Sequence, residues 1–262
     1  MDAPKLVVRG VRKVFDGREE KVVALDGTDF EIAEKEFVTV IGTSGCGKST
    51  LLSIIAGLEE ETEGEVLVDG DPVWGPGRDR GVVFQTYTLF PWLTAEKNVE
   101  FALRGSGQEK ARVAREHLNM VGLERFAGAY PSQLSGGMRQ RVAIARALSY
   151  KPEVLLMDEP FGALDAQTRQ LMQELLTAVW EEHRLTVMFV THDIDEAIFL
   201  SDRVLVMTAR PGKIKETIEI GLERPRTFEV LSTPEFLEYK SKLLESVREE
   251  SLRAAEELEA AA

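Results

Sequence analysis

The residues best suited to chemistry lie at Gly42-Thr43-Ser44-Gly45-Cys46-Gly47-Lys48-Ser49-Thr50, which fits G-x-x-x-x-G-K-[ST] at every fixed position. Glycines let backbone N–H groups turn inward without a Cβ clash, and a nest of such donors receives phosphate oxygens. The run before it, Phe37-Val38-Thr39-Val40-Ile41, reads as a strand, and Leu51 to Gly57 reads as a helix. A helix N-terminus adds unpaired donors and the positive end of its dipole. In that setting Lys48 can reach the β- and γ-phosphates, and the Ser49 hydroxyl can bind Mg2+. A plain glycine turn between strand and helix would need none of the fixed residues. The spacing predicts a nucleoside triphosphate site.

A phosphate loop alone leaves kinases, small GTPases and many ATPases open. The second piece is Val154-Leu155-Leu156-Met157-Asp158-Glu159-Pro160. Four apolar residues make a buried strand that presents Asp158 at its carboxyl end, where it can hold magnesium directly or through water. Glu159 follows at once, and a carboxylate on the γ-phosphate side can polarise an attacking water, so it is the candidate general base. An isolated Asp-Glu pair is commonly a solvated strand end, but here it closes an apolar run in a chain that carries a phosphate loop. The third piece is Leu134-Ser135-Gly136-Gly137-Met138-Arg139-Gln140-Arg141, a serine and two glycines ahead of a helix. Free N–H donors and the helix dipole make it a second anion site, although a serine N-cap on a flexible turn would read the same way in isolation.

Positioning these residues requires alternating strands and helices. Lys5 to Phe15 and Val22 to Ala33 read as strands around a charged turn at Asp16 to Lys21, an antiparallel layer ahead of the phosphate-loop strand. Glu65 to Val68 reads as a strand followed by a turn at Asp69 to Pro72, and Gly81 to Phe84 as a short strand delivering Gln85. Thr94 to Leu103 and Gln108 to Val121 have helical spacing, with Val113, Leu118 and Val121 on one face and Gly122 as a stop. Met138 to Tyr150, Asp165 to Glu182 and Asp193 to Leu200 read as helices, Leu185 to Val190 and Val204 to Met207 as strands, and Arg210 to Lys213 as a turn. From Pro234 the chain reads as one acidic helix fraying at Ala260 to Ala262. The alternation implies an α/β core with a mostly parallel sheet and a helical insertion from about Thr88 to Tyr150.

Composition narrows the partners. The 262 residues include 45 acidic and 32 basic side chains, a formal charge of −13, which disfavours nucleic acid because phosphate binding needs a basic stripe. One cysteine excludes an internal disulfide framework and suggests a reducing compartment. The first residues lack the basic and apolar regions of a signal peptide, and the longest uncharged stretch, Gly81 to Ala95, is too short and polar to span a bilayer. The chain is expected to be soluble, so a membrane role would come through another subunit.

Leu134-Ser135-Gly136-Gly137-Met138-Arg139-Gln140, together with the phosphate loop and the Asp158 strand, resembles the ATPase subunit of ATP-binding-cassette (ABC) transporters, from about Leu6 to Ile220. The resemblance implies a single cassette domain over 1–262, with a phosphate-loop NTPase core at 1–87 and 151–220. A helical subdomain would occupy 88–150 and a helical tail 221–262. It implies that Phe15 stacks on adenine and that residues 42–50 hold the phosphates of ATP. Gln85 would sense Mg2+ and the γ-phosphate, and Asp165, in Ala163-Leu164-Asp165, would cross a dimer interface. His192 would be the switch histidine contacting the γ-phosphate. Two cassettes would sandwich two ATP molecules, each site combining Lys48, Ser49, Gln85, Asp158, Glu159 and His192 of one chain with Ser135, Gly136 and Gly137 of the other. The expected ligands are ATP and Mg2+, with Ser49, Gln85 and Asp158 on the metal. The expected partners are a second copy, two transmembrane permease subunits and a solute-binding protein, at the cytoplasmic face of the inner membrane.

Two further strings, Gly75 to Gln85 with Leu89 to Thr94, and Val206-Met207-Thr208-Ala209-Arg210-Pro211-Gly212-Lys213-Ile214, are similar to the importer group for nitrate, sulfonate and taurine. They surround functional positions without touching cargo. A separate-subunit exporter or a soluble cassette acting on ribosomes or DNA are the alternatives; the latter usually carry paired cassettes or long coiled-coil insertions. Cys46 is no metal site, but a bulky thiol adduct on it should block ATP. His117 and His183 read as solvated surface residues. Phe90, Pro91 and Trp92 are either core or a groove for a membrane-subunit helix, and the tail serves packing or dimer support.

Overall fold

The computed structural model describes residues 3–17 and 21–260, so part of the charged turn before Lys21 and the fraying at Ala261 and Ala262 lie outside the described residues. The chain forms two compact units, Met1–Gly77 with Arg184–Ala262, and Arg78–His183. It opens with β1 (Leu6–Asp16), β2 (Lys21–Ile32), β3 (Phe37–Ile41), α1 (Lys48–Ile55), β4 (Glu63–Val68) and β5 (Asp71–Pro72). The second unit carries β6 (Arg80–Val83), α2 (Ala95–Phe101), α3 (Gly107–Met120), α4 (Gly136–Ser149), β7 (Val154–Asp158) and α5 (Ala166–His183). The chain returns through β8 (Thr186–Val190), α6 (Ile194–Leu200), β9 (Arg203–Met207), β10 (Ile214–Glu219) and α7 (Pro234–Ala260).

In the first unit β2, β1, β4 and β5 form the expected antiparallel layer. A second sheet pairs β8, β3 and β9 in parallel and adds β10 antiparallel to β9. All five residues of β3 and of β8 are buried, which is why they read as continuous apolar runs rather than as alternation. The strand β10 escaped sequence reading because Ile214-Lys215-Glu216-Thr217-Ile218-Glu219 buries only Ile218, the mark of a solvated edge.

The tail is packed rather than loose. Phe236 and Leu243 of α7 are fully buried with Ile198 of α6, Val204 and Val206 of β9, and Ile218, Ile220 and Leu222. Burying each of those two side chains is worth about 1.5–3 kcal/mol. Arg226, also buried, donates to the carbonyls of Ile198, Phe199 and Ser201 at 2.9, 3.1 and 2.7 Å, satisfying acceptors that α6 leaves open at its C-terminus.

The second unit holds β6 parallel to β7, and the helical stretch expected over 88–150 lies wholly within it. Those helices have their own apolar core: Ala95 and Val99 from α2, Ala114 and Leu118 from α3, Val142 and Ala145 from α4, closed by Val121, Leu123 and Leu134. Ala114 takes the inward place expected for Val113, which is half-buried, because 114, 118 and 121 follow the helical stripe more closely.

Candidate nucleotide site

In the first unit the parallel register of β3 and β8 decides what sits beside the phosphate loop. Val40 pairs with Val190, and Thr191 N–H donates to Val40 O at 3.2 Å, so Gly42 and His192 leave the same edge of the sheet two residues beyond. Gly47, at φ 107, turns the loop into α1 with no side-chain cap and no acidic residue in the first turn. A Cβ at Gly47 would stand 2.9 Å from the Ala24 carbonyl, so the position is closed to other residues twice over. The first turn of α1 thus places no carboxylate of its own against its N-terminal donors.

The Lys48 side chain is buried and folds back over the loop, donating to Gly42 O at 2.9 Å and Thr43 O at 3.0 Å. This sets a fixed positive charge at the loop's centre. Ser44, Gly45 and Ser49 are exposed, Thr43 and Thr50 half-buried, and His192 is exposed between β8 and α6. Phe15, at the end of β1, is 38% exposed and carries Lys13 Nζ 4.9 Å from its ring centroid.

Cys46 differs from a surface thiol. It is 1% exposed, its Sγ lies 3.9 Å from Lys48 Nζ, and burial pushes its pKa up despite the attraction of that ammonium. A reagent reaches it only after the loop opens, which qualifies the simple expectation that an adduct forms and blocks ATP.

In the second unit β7 delivers Asp158 as expected, and Glu159 follows at φ 41, a left-handed conformation unusual for a glutamate. Such strain persists where surrounding structure over-determines it, and here the buried Pro160 and Phe161 follow immediately. The β6–β7 register pairs Val83 with Met157, so Gln85, two residues on, comes level with Glu159. Asp165 caps α5 by accepting from Thr168 N–H at 3.0 Å, and that bond holds its carboxyl below the usual range.

Ser135 caps α4 in the same way, accepting from Met138 N–H at 3.2 Å. The hydroxyl proton is not used in that bond, and the residue is exposed. Gly136 and Gly137 are needed for close approach: a Cβ on Gly136 would lie 3.0 Å from Tyr87 Oη, and one on Gly137 would overlap Thr168 Cγ2. The serine-glycine turn and the Asp165 turn are thus built against each other.

The profile of the ABC transporter family matches residues 25–162. The chain belongs to the ABC transporter family. An uncharacterized ABC transporter ATP-binding protein of Methanocaldococcus jannaschii is 55% identical over 253 residues, 95% of this chain and 94% of that protein. A nitrate import ATP-binding protein of Synechocystis is 47% identical across 98% of this chain and 99% of its own. An aliphatic sulfonates import ATP-binding protein of Bacillus cereus is 48% identical across 91% and 94%. A dimeric cassette solved in a post-hydrolysis state with ADP and Pi is 40% identical with a TM-score of 0.74, covering 83% of this chain and 100% of that one. This ABC cassette is an ATP-binding ATPase with the mixed α/β fold expected of it.

Several residues that shape the site carry no motif. Asn98, fully buried in α2, accepts from Phe90 N–H at 2.8 Å and donates to the carbonyls of Phe90, Leu93 and Thr94. It pins the loop that follows Gln85. Arg146 of α4 binds the same loop, donating to Thr88 O and Oγ1 at 2.8 Å each, while burial pulls its pKa down. A lone arginine in Val142-Ala143-Ile144-Ala145-Arg146-Ala147-Leu148 was the available signal. His117 is half-buried, with Nδ1 2.8 Å from Val113 O, and so is less solvated than expected.

Proposed function

We propose that this chain is the ATP-hydrolysing subunit of an importer for nitrate, a sulfonate, taurine or a related small solute. It works as a homodimer under two permease subunits, at the cytoplasmic face of the membrane, with a solute-binding protein supplying cargo. The observation that carries the membrane partner is an aromatic surface beside Gln85. Trp92 and Phe101 are 70% and 66% exposed, and Phe90 packs against both at tilted angles, with ring centroids 5.5 and 4.5 Å apart. Asn98 holds that surface rigid, which suits a docking face more than a solvated loop. The import functions in the names of two relatives support the cargo class.

In this reading Lys48 and the loop N–H groups bind the phosphates, Phe15 stacks on adenine, and Glu159 accepts the proton of the attacking water. His192 and Gln85 respond to the γ-phosphate. Among the described residues no three His, Cys, Asp or Glu side chains are grouped to hold a metal alone. A hydroxyl, an amide and one carboxylate, from Ser49, Gln85 and Asp158, are hard oxygen donors that suit Mg2+ shared with phosphate. Bound there, Mg2+ would neutralise charge on the β- and γ-phosphates. Ser135, Gly136 and Gly137 would serve the partner cassette's ATP, with Asp165 at the interface. Among the described residues no helix is long and apolar enough to cross a membrane.

The test is to tag the chain, solubilise native membranes gently and identify what co-purifies. A polytopic partner without its own ATPase, plus a binding protein that takes nitrate or sulfonates, supports the proposal. A membrane partner with no binding protein shifts the reading to export, and ribosomes or DNA-repair proteins sink transport altogether.

A further inference from the structure

The loop between β9 and β10, part of the string that resembles the importer group, is built against the reverse side of the phosphate loop. It closes on itself: Thr208 N–H donates to Lys213 O at 2.9 Å, Lys213 N–H to Thr208 Oγ1 at 3.0 Å, and Thr208 Oγ1 to Pro211 O at 2.8 Å. It is sewn to β2 through Gly212, whose N–H donates to Ala24 O at 2.9 Å and whose carbonyl accepts from Thr28 Oγ1 at 3.1 Å. Arg210 donates from Nε and Nη2 to Gly45 O at 3.3 and 3.2 Å. A Cβ on Gly212 would overlap Cys46 O.

Peptide planarity gives these contacts a consequence. The carbonyl of one residue and the N–H of the next point opposite ways in one rigid plane. Holding Gly45 O orients Cys46 N–H, which donates to Thr43 O at 3.4 Å and closes the loop's own turn, and seating Cys46 O against Gly212 orients Gly47 N–H. These two peptides are part of the frame of the nest, so fixing them fixes its shape.

The same loop is held from α7. Ala209 N–H donates to Glu250 Oε2 at 2.9 Å, and Glu250 Oε1 pairs with Lys215 and Arg253, each at 3.1 Å. Glu250 is 1% exposed. A buried carboxylate is costly unless paired and hydrogen-bonded, and this one is both. Glu250 lies sixteen positions after Pro234 along α7, whose Phe236 and Leu243 anchor it in the core.

We propose that Glu250 and Arg210 are positioning residues for ATP: α7 sets the 208–213 loop, and the loop sets the peptides of the phosphate nest. This rests on the reading that residues 42–50 bind the phosphates of ATP. It gives the C-terminal helix a part in nucleotide affinity and the importer-like string a mechanical role.

The test measures MgATP binding by titration calorimetry and the melting temperature without nucleotide, on the full chain. Arg210→Ala and Glu250→Ala should raise the Kd about five- to tenfold, the low end of the range for coupling between a site and a remote contact. Glu250→Gln keeps an oxygen for Ala209 N–H and should restore the Kd to within about twofold of the parent. An unchanged Kd in Arg210→Ala, an exposed residue whose loss leaves the core intact, overturns the inference whatever Glu250→Ala does to folding. A lower melting temperature with unchanged Kd in both variants overturns it too, by leaving only a structural role. Lys48→Ala separates the layers. If it abolishes binding while Arg210→Ala changes nothing, the inference falls and the phosphate-loop reading stands. If Lys48→Ala binds normally, that reading itself falls.

Discussion

The side chains of Gln85 and Glu159 end over the same glycine: a Cβ on Gly162 would stand 3.7 Å from Gln85 Nε2 and 3.8 Å from Glu159 Oε2. Their strands arrive in register, and Gly162 N–H donates back to Glu159 O at 3.1 Å, closing a tight turn under the carboxylate. Glu159→Gln keeps the shape and the strained backbone but cannot take a proton. It should retain ATP affinity and lose turnover by about 10²-fold or more. Hydrolysis within tenfold of the parent at saturating ATP would place the base elsewhere.

The overlap between a Cβ on Gly137 and Thr168 Cγ2 makes a second prediction that separates packing from chemistry. Gly137→Ala should destabilise the protein by about 1–3 kcal/mol, the usual cost of overpacking a tight site. Thr168→Ser removes the clashing methyl, so the double variant should recover most of that loss while each change alone costs more than their combination. Urea unfolding of the four proteins measures this. Simple additivity would mean that the two turns are not packed on each other as described.

What was legible in sequence was whatever chemistry or burial wrote locally. Phe37 to Ile41 and Val154 to Met157 announced themselves because strands buried on both faces cannot alternate. Gly47 and Lys48 were legible because only a nest and a strand-to-helix turn require that spacing. Arg210 lies in a string whose sequence shows no task for it, since its partner Gly45 lies 165 positions away. Glu250 was invisible for the same reason: in an acidic helix it looks like any solvated glutamate, and only the fold turns it inward to Ala209.

The Cys46 thiol gives a pH-dependent prediction. The thiolate is the reactive form, and burial raises this group above its ordinary value of 9.0. Alkylation of the native chain near neutral pH should run on the order of 10²-fold slower than in the urea-unfolded chain, because it requires the loop to open. A raised folded pKa contributes stability that is full below 9.0 and is lost as pH climbs through the folded value. Cys46→Ser should therefore flatten the alkaline limb of stability against pH. Equal alkylation rates in native and unfolded chain would show that the thiol is open to solvent.

Arg226 tests what holds α6, and with it the return from His192 to β9. One buried guanidinium meets the carbonyls of Ile198, Phe199, Ser201, Ile220 and Leu222, an arrangement that needs a planar fork of donors rather than a point charge. Arg226→Met fills the volume but leaves those carbonyls without their donor, and should cost about 3–5 kcal/mol. Arg226→Lys keeps the charge with three donors on one nitrogen, reaches fewer of the carbonyls, and should fall between the two. Because the five carbonyls that Arg226 holds lie in neither the phosphate loop nor its supporting loop, ATP affinity of the folded fraction should stay near the parent value. A stability loss under about 1 kcal/mol in Arg226→Met would mean that solvent or backbone adjustment satisfies the carbonyls unaided.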